Sequence, residues 1–153
     1  MTESKKISAS CDCGQLVLDI TTPVVTQVVC HCSDCRGVTG LPYVDIAFFE
    51  PDGCKALGES RPTTMKGGSG IEKTYFACPE CGAAVCATVG ALKGACVVIA
   101  SRLSSPLDGS STHIWTSEKV SNVEIPSTAV TSLKGPPEPV RSILVSNFLD
   151  TSR

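Results

Sequence analysis

The chain is predicted to fold as a mostly β protein with one short helical turn and a C-terminal tail. Three observations predict this class. Apolar and β-branched residues recur in short runs, some alternating with polar residues, which is typical of strands. Glycine and proline separate these runs and mark turns. Ten cysteines, seven of them in three tight groups, indicate that metal binding accompanies this β structure.

The first half of the chain supplies three predicted strands and the helical turn. Leu16, Leu18 and Ile20 alternate with their neighbours, so residues 16–20 form a strand. Residues 24–30 and 43–49 are rich in β-branched and aromatic side chains and are also predicted strands. The helical turn is predicted over residues 33–40, with Ser33 as its N-cap and Gly40 as its end. Residues 51–53, Pro-Asp-Gly, form a turn.

The second half of the chain is predicted to be strands and turns. We expect short strands at residues 63–66, 72–77, 84–89, 95–100, 112–115 and 120–125. The first two are joined by a Gly-Gly-Ser-Gly turn at residues 67–70. The sequence therefore continues as β structure up to residue 125.

The composition changes near residue 135, which divides the chain into a zinc-binding domain, residues 1–135, and a tail, residues 136–153. The tail opens with a proline-rich linker and continues with apolar residues at helical spacing, among them Val140, Ile143, Leu144 and Phe148. This apolar stripe fits two arrangements. It can pack on its own domain, or it can dock on a second subunit and form a homodimer.

Composition excludes several classes of protein. The chain has 153 residues, enough for a single domain with its own core, and 42% of them are hydrophobic. A net charge of −2 provides no basic surface for nucleic acid or anionic lipid. No apolar run is long enough to span a membrane, and the N-terminus does not resemble an export signal. We therefore expect a cytoplasmic protein, whose cysteines bind metal rather than form disulfides.

Four cysteines in two pairs predict a closed structural zinc site. Cys11 and Cys13 are one residue apart, and Cys78 and Cys81 are two residues apart. Four thiolates complete the tetrahedral coordination of zinc. Gly14 and Gly82 follow the two pairs and let the backbone turn so that amide groups point at the sulfur atoms. The alternative is two unconnected thiol pairs.

A second group, Cys30, Cys32 and Cys35, supplies three zinc ligands and would bring the total to two zinc ions per chain. From spacing alone, an open fourth position and a remote fourth ligand are equally well supported. The candidates for such a ligand are His31, His113, Cys54, Cys86 and Cys96. His31 is disfavoured, because in an extended segment its side chain points away from Cys30 and Cys32.

The order of these motifs resembles a known family. The motifs are Cys11-x-Cys13-Gly14, Cys30-His31-Cys32-Ser33-x-Cys35-Arg36-x-x-Thr39-Gly40, Phe76-x-Cys78-x-x-Cys81-Gly82 and His113-Ile114-Trp115. Together they resemble the glutathione-dependent formaldehyde-activating enzymes, to which centromere protein V is related. The resemblance runs from about Ile7 to Lys119, and the sequence after Ile125 does not share it.

The resemblance implies a zinc-containing β-tent fold of short antiparallel sheets. It also implies a structural zinc at the two cysteine pairs and a catalytic zinc at Cys30, Cys32 and Cys35. The implied activity is that of a carbon–sulfur lyase on a small-molecule thiol adduct, with glutathione as the cosubstrate. Larger aldehyde or thioether substrates, such as biosynthetic intermediates, are the alternative. The competing functions are a non-catalytic zinc scaffold and a redox-sensing zinc thiolate protein.

Other residues near the second cysteine group are candidates for substrate chemistry. Arg36 could bind a substrate carboxylate, or it is a solvated helix residue. Thr39 and Gly40 could border the substrate, or they simply end the helix. His113 could act as a general acid or base at the second zinc, or it is a half-buried strand residue. Trp115 is expected in the core.

Overall fold

The computed structural model describes residues 7–66, 72–90, 92–105, 107 and 112–149. The chain is mostly β, as predicted. The strands are β1 (Ile7–Ser10), β2 (Val17–Ile20), β3 (Thr26–Cys30), β4 (Val44–Phe49), β5 (Cys54–Leu57), β6 (Arg61–Lys66), β7 (Glu72–Ala77), β8 (Ala84–Val89), β9 (Leu92–Ile99), β10 (Thr112–Ile114) and β11 (Val130–Thr131). The helices are α1 (Ser33–Thr39) and α2 (Val140–Leu144), and a π-helical turn (Val145–Leu149) extends α2.

The strands form two sheets. A small antiparallel sheet has the order β1-β2-β5, and an eight-stranded sheet has the order β11-β10-β3-β4-β9-β8-β7-β6. The large sheet is antiparallel except at β10, which runs parallel to both β3 and β11. The predicted turn at residues 67–70 lies outside the described residues. No helix among the described residues is both long and apolar enough to cross a bilayer.

The large sheet separates two apolar cores. Successive side chains of a strand point to opposite faces, so along β4 Phe48 enters one core while Ala47 and Phe49 enter the other. Val97 and Val98 of β9 divide in the same way. The first core also contains Cys30, Cys32 and Cys35, and the second contains Cys11 and Cys78. The two cysteine groups therefore belong to opposite faces of the sheet.

The predicted strand at residues 120–125 is wrong. This segment bends, because the amide of Val123 donates to the carbonyl of Val120 and the Lys119 ammonium donates to both of their carbonyls, at 3.0 and 2.6 Å. The next strand after β10 in the chain is β11, which pairs with it. Strands β1 and β5, which the sequence pattern did not indicate, complete the small sheet.

The tail folds back onto the large sheet. Val140, Leu144 and Phe148, spaced by one helical turn, are only 4–5% exposed and pack in the core that holds Cys30, Cys32 and Cys35. These three side chains are therefore covered by the chain itself. Dimerisation through the rest of the tail stays a prediction.

Candidate functional site

The four-cysteine cluster joins two loops. Cys11 and Cys13 lie between β1 and β2, and Cys78 and Cys81 lie between β7 and β8. The sulfur of Cys13 is 3.7 Å from that of Cys11 and 3.6 Å from that of Cys78, and all four sulfurs lie within 4.8 Å of one another. A tetrahedron with metal–sulfur bonds of about 2.3 Å has edges of about 3.8 Å. The spacing and the donor set therefore fit a zinc ion.

Backbone amides support this cluster. Gly14 and Gly82 have φ of 81° and 79°, so both glycines turn the chain back as expected. The amide of Leu16 donates to the sulfur of Cys11 and the amide of Glu80 donates to that of Cys78, each at 3.3 Å. Burial opposes ionisation of Cys11, but the Leu16 amide and the neighbouring thiols outweigh it and lower the pKa of Cys11 to about 6.

The three-cysteine cluster is built where β3 meets α1. Cys30 ends β3, Cys32 is the N-cap of α1 and Cys35 lies in its first turn, and their sulfurs lie within 4.8 Å of one another. All three residues are only 4–6% exposed. The sulfur of Cys32 accepts the amide of Cys35 at 3.4 Å, so Cys32, rather than the predicted Ser33, caps the helix.

Among the residues that the structure describes, no fourth cysteine, histidine or carboxylate belongs to this three-cysteine cluster. Hydrogen bonds from the thiols of Cys30 and Cys35 lower the pKa of Cys32. Hydrogen bonds with the thiols of Cys32 and Cys35, together with burial, raise the pKa of Cys30. Three soft sulfur donors at this spacing fit zinc with one coordination position left for another molecule.

Tyr75 and Lys73, on the same face of β7, adjoin this cluster. The Tyr75 hydroxyl lies 3.5 Å from the Cys35 sulfur, and burial, followed by the nearby Cys35, raises the pKa of Tyr75. Burial would lower the pKa of Lys73, but its 3.0 Å ion pair with Asp34 raises that pKa. Sequence reasoning missed Tyr75. Its only signal was an alternating strand leading into the second cysteine pair.

A cavity of about 330 Å³ opens beside Cys30 and Cys35. Tyr75 and Thr39 border it near the sulfurs, and Leu144 and Val145 close it from the tail. Trp115, which was expected in the core, also forms part of the cavity wall. Cys30 and Cys35 therefore border a space that is large enough for a small molecule.

The structure places His113 away from the three-cysteine cluster. In the parallel pairing of β10 with β3, His113 is opposite Val29, whereas Ile114 is opposite Cys30. His113 therefore lies on the other face of the sheet, where its Nδ1 is 2.9 Å from Nε2 of the buried His31. Burial lowers the pKa of both imidazoles.

Arg36 and Gly40 stabilise α1 and its surroundings, and neither borders the cavity. The Arg36 guanidinium donates to the carbonyls of His31 at 3.3 Å and Glu118 at 3.0 Å, so these contacts engage it with the backbone. Gly40, with φ of 75°, ends the helix. Thr39 does border the cavity, but its hydroxyl donates to the carbonyl of Cys35 at 2.8 Å.

Comparison with known proteins agrees with this geometry. The family model described as glutathione-dependent formaldehyde-activating enzyme matches residues 6–118. The match includes every cysteine of the two clusters and ends before the tail. No curated protein sequence matches the chain significantly.

Proposed function

The chain belongs to the glutathione-dependent formaldehyde-activating enzyme family, and on that premise we propose that it is a zinc-dependent carbon–sulfur lyase. Its substrate would be a thiol adduct of an aldehyde, or a related thioether. The observation that carries the proposal is the buried group of three thiols with room for a further ligand and a cavity beside it. Cys30, Cys32 and Cys35 would hold the reactive zinc, and Cys11, Cys13, Cys78 and Cys81 would hold a structural one.

The proposed reaction needs no oxidant or reductant. In a hemithioacetal the carbon–sulfur bond breaks with its electron pair moving to sulfur, the carbon–oxygen double bond forms, and the hydroxyl proton passes overall to the sulfur. The reverse reaction joins thiol and aldehyde. A zinc ion supplies Lewis acidity that stabilises thiolate sulfur.

The chain's own residues would prepare the site for this reaction. Tyr75 stays neutral and can donate a hydrogen bond to the Cys35 sulfur. The amide of Cys35 supports the Cys32 sulfur in the same way. The mainly apolar walls of the cavity lower the local dielectric constant, which strengthens each of these interactions. A reducing compartment such as the cytoplasm would keep the thiols available for metal.

Exchange between free thiol, aldehyde and adduct would test the proposal. We would add the zinc-loaded protein to formaldehyde with either glutathione or hexanethiol and measure exchange by magnetisation-transfer NMR. We expect faster exchange with at least one thiol. The acceleration should be lost in Cys32→Ser and kept in Cys86→Ser, because Cys86 belongs to neither metal cluster. Equal rates for these two variants would refute the assignment of the reactive site.

A further inference from the structure

The cavity beside the three-cysteine cluster is lined mainly by apolar side chains. They come from β3, β4, β8 and β9 and include Val28, Ile46, Phe48, Ala87, Leu92 and Val97. These side chains cannot pair with a charged or strongly polar ligand group. Burying such a group without a partner is unfavourable.

The polar side chains at the inner part of the cavity are already engaged. Lys73 pairs with Asp34, the Tyr75 hydroxyl contacts the Cys35 sulfur, and the Thr39 hydroxyl bonds within its helix. Arg141 is the exception, and it lies exposed at the rim. A glutathionyl group, with its two carboxylates and its ammonium, would therefore find little to bind inside the cavity.

The outer wall of the cavity comes from the tail. Leu144 is buried against the sheet and Val145 is 41% exposed at the edge, and both border the cavity. They lie beyond residue 118, where the family match ends. This wall therefore belongs to the part of the chain that the family does not define.

We infer that the substrate of this site carries a predominantly apolar group, an alkyl chain or ring system, which the cavity holds beside Cys30 and Cys35 and the tail encloses. The inference rests on the proposed function and specifies its substrate class. A water molecule occupies about 30 Å³ of liquid, so the cavity has room for on the order of ten non-hydrogen atoms. Burying a methylene group strengthens binding by about fourfold.

Trp115 makes the inference testable without measuring turnover. It is the only tryptophan of the chain and borders the cavity, so its fluorescence should respond when the cavity is filled. We would titrate the zinc-loaded protein with butanethiol, hexanethiol and octanethiol, with the three alcohols of the same chain lengths, and with glutathione. In both series we expect affinity to rise about tenfold or more for each two added methylenes.

A pair of tail variants provides the control. Val145→Asp places a carboxylate at the edge of the cavity, and we expect it to weaken octanol binding at least tenfold. Ser146→Asp places the same charge on a neighbouring exposed residue that does not border the cavity, and its affinity should match the wild type. Circular dichroism would check that both variants are folded.

The two series separate this inference from the proposed function. If affinity does not rise with chain length, or if Val145→Asp binds octanol as the wild type does, the apolar site is refuted even where thiols bind. If the length dependence holds and each thiol binds more tightly than its alcohol, both ideas are supported. If thiol and alcohol bind equally, the proposed contact between thiol and metal fails, while the apolar binding site stands.

Discussion

Replacing Cys81 by serine tests whether the four-cysteine cluster holds the fold together. The cluster links residues 65 positions apart, as between Cys13 and Cys78. A cross-link that closes a loop of this length lowers the entropy of the unfolded chain enough to stabilise the fold by about 4 kcal/mol, by the treatment used for disulfides. Cys81 is exposed, so its side chain contributes little through packing. We therefore expect Cys81→Ser to lower the melting temperature by roughly 10 °C.

Cys32→Ser is the matched comparison. Its cluster spans only residues 30–35, for which the same treatment gives about half the stabilisation. Serine is also a good N-cap and should keep α1 in place. Thermal unfolding followed by circular dichroism, with zinc per chain from native mass spectrometry, would compare the two variants. If Cys81→Ser loses zinc but melts like the wild type, or no lower than Cys32→Ser, the cross-link argument is refuted.

Single-residue changes elsewhere test other contacts. Tyr75→Phe removes a hydrogen bond to the Cys35 sulfur, so kcat/KM for adduct cleavage should fall about tenfold or more while the zinc content stays the same. An unchanged kcat/KM would contradict a role for this contact. Asp45→Asn should raise the melting temperature at pH 7 but not near pH 3. Burial raises the pKa of Asp45 above the ordinary value of 3.8, so the wild type loses stability as pH rises past that value; a pH-independent difference would refute this. Lys73→Met removes the ion-pair partner of Asp34 and should lower the free energy of unfolding in urea by about 1–2 kcal/mol. Adding Asp34→Asn should restore part of this free energy. If it restores none, the ion pair does not stabilise the fold.

The metal clusters could be anticipated from sequence because their geometry is largely local. A spacing of one or two residues brings two sulfurs together whatever the remaining fold, as at Cys11 and Cys13. Helix α1 could also be predicted from local sequence, since Gly40 ends it through its own backbone conformation. Whether the three-cysteine cluster has a fourth ligand was not a local property. It depends on where His113, Cys54 and the other candidate ligands lie in space.

The positions of His113 and Arg36 depend on contacts between distant segments, which the sequence does not indicate. His113 was a candidate acid or base because a histidine pKa lies near neutrality, but its register with β3 turns its side chain to the opposite face of the sheet. Arg36 follows Cys35 directly. Its guanidinium nevertheless donates hydrogen bonds to the carbonyls of His31, just after β3, and of Glu118. Neither contact leaves a periodic signal in the sequence. The role of the tail in the cavity wall was hidden for the same reason.

The two cysteine clusters differ in their access to solvent. Cys13 and Cys81 are exposed, whereas Cys30, Cys32 and Cys35 are buried. A chelator, or a competing metal in the medium, would therefore reach the four-cysteine cluster first. With zinc at both clusters, purified protein should lose folding stability before it loses the proposed activity. An assay of the proposed activity alone would miss this early damage, because thermal stability would fall before turnover does.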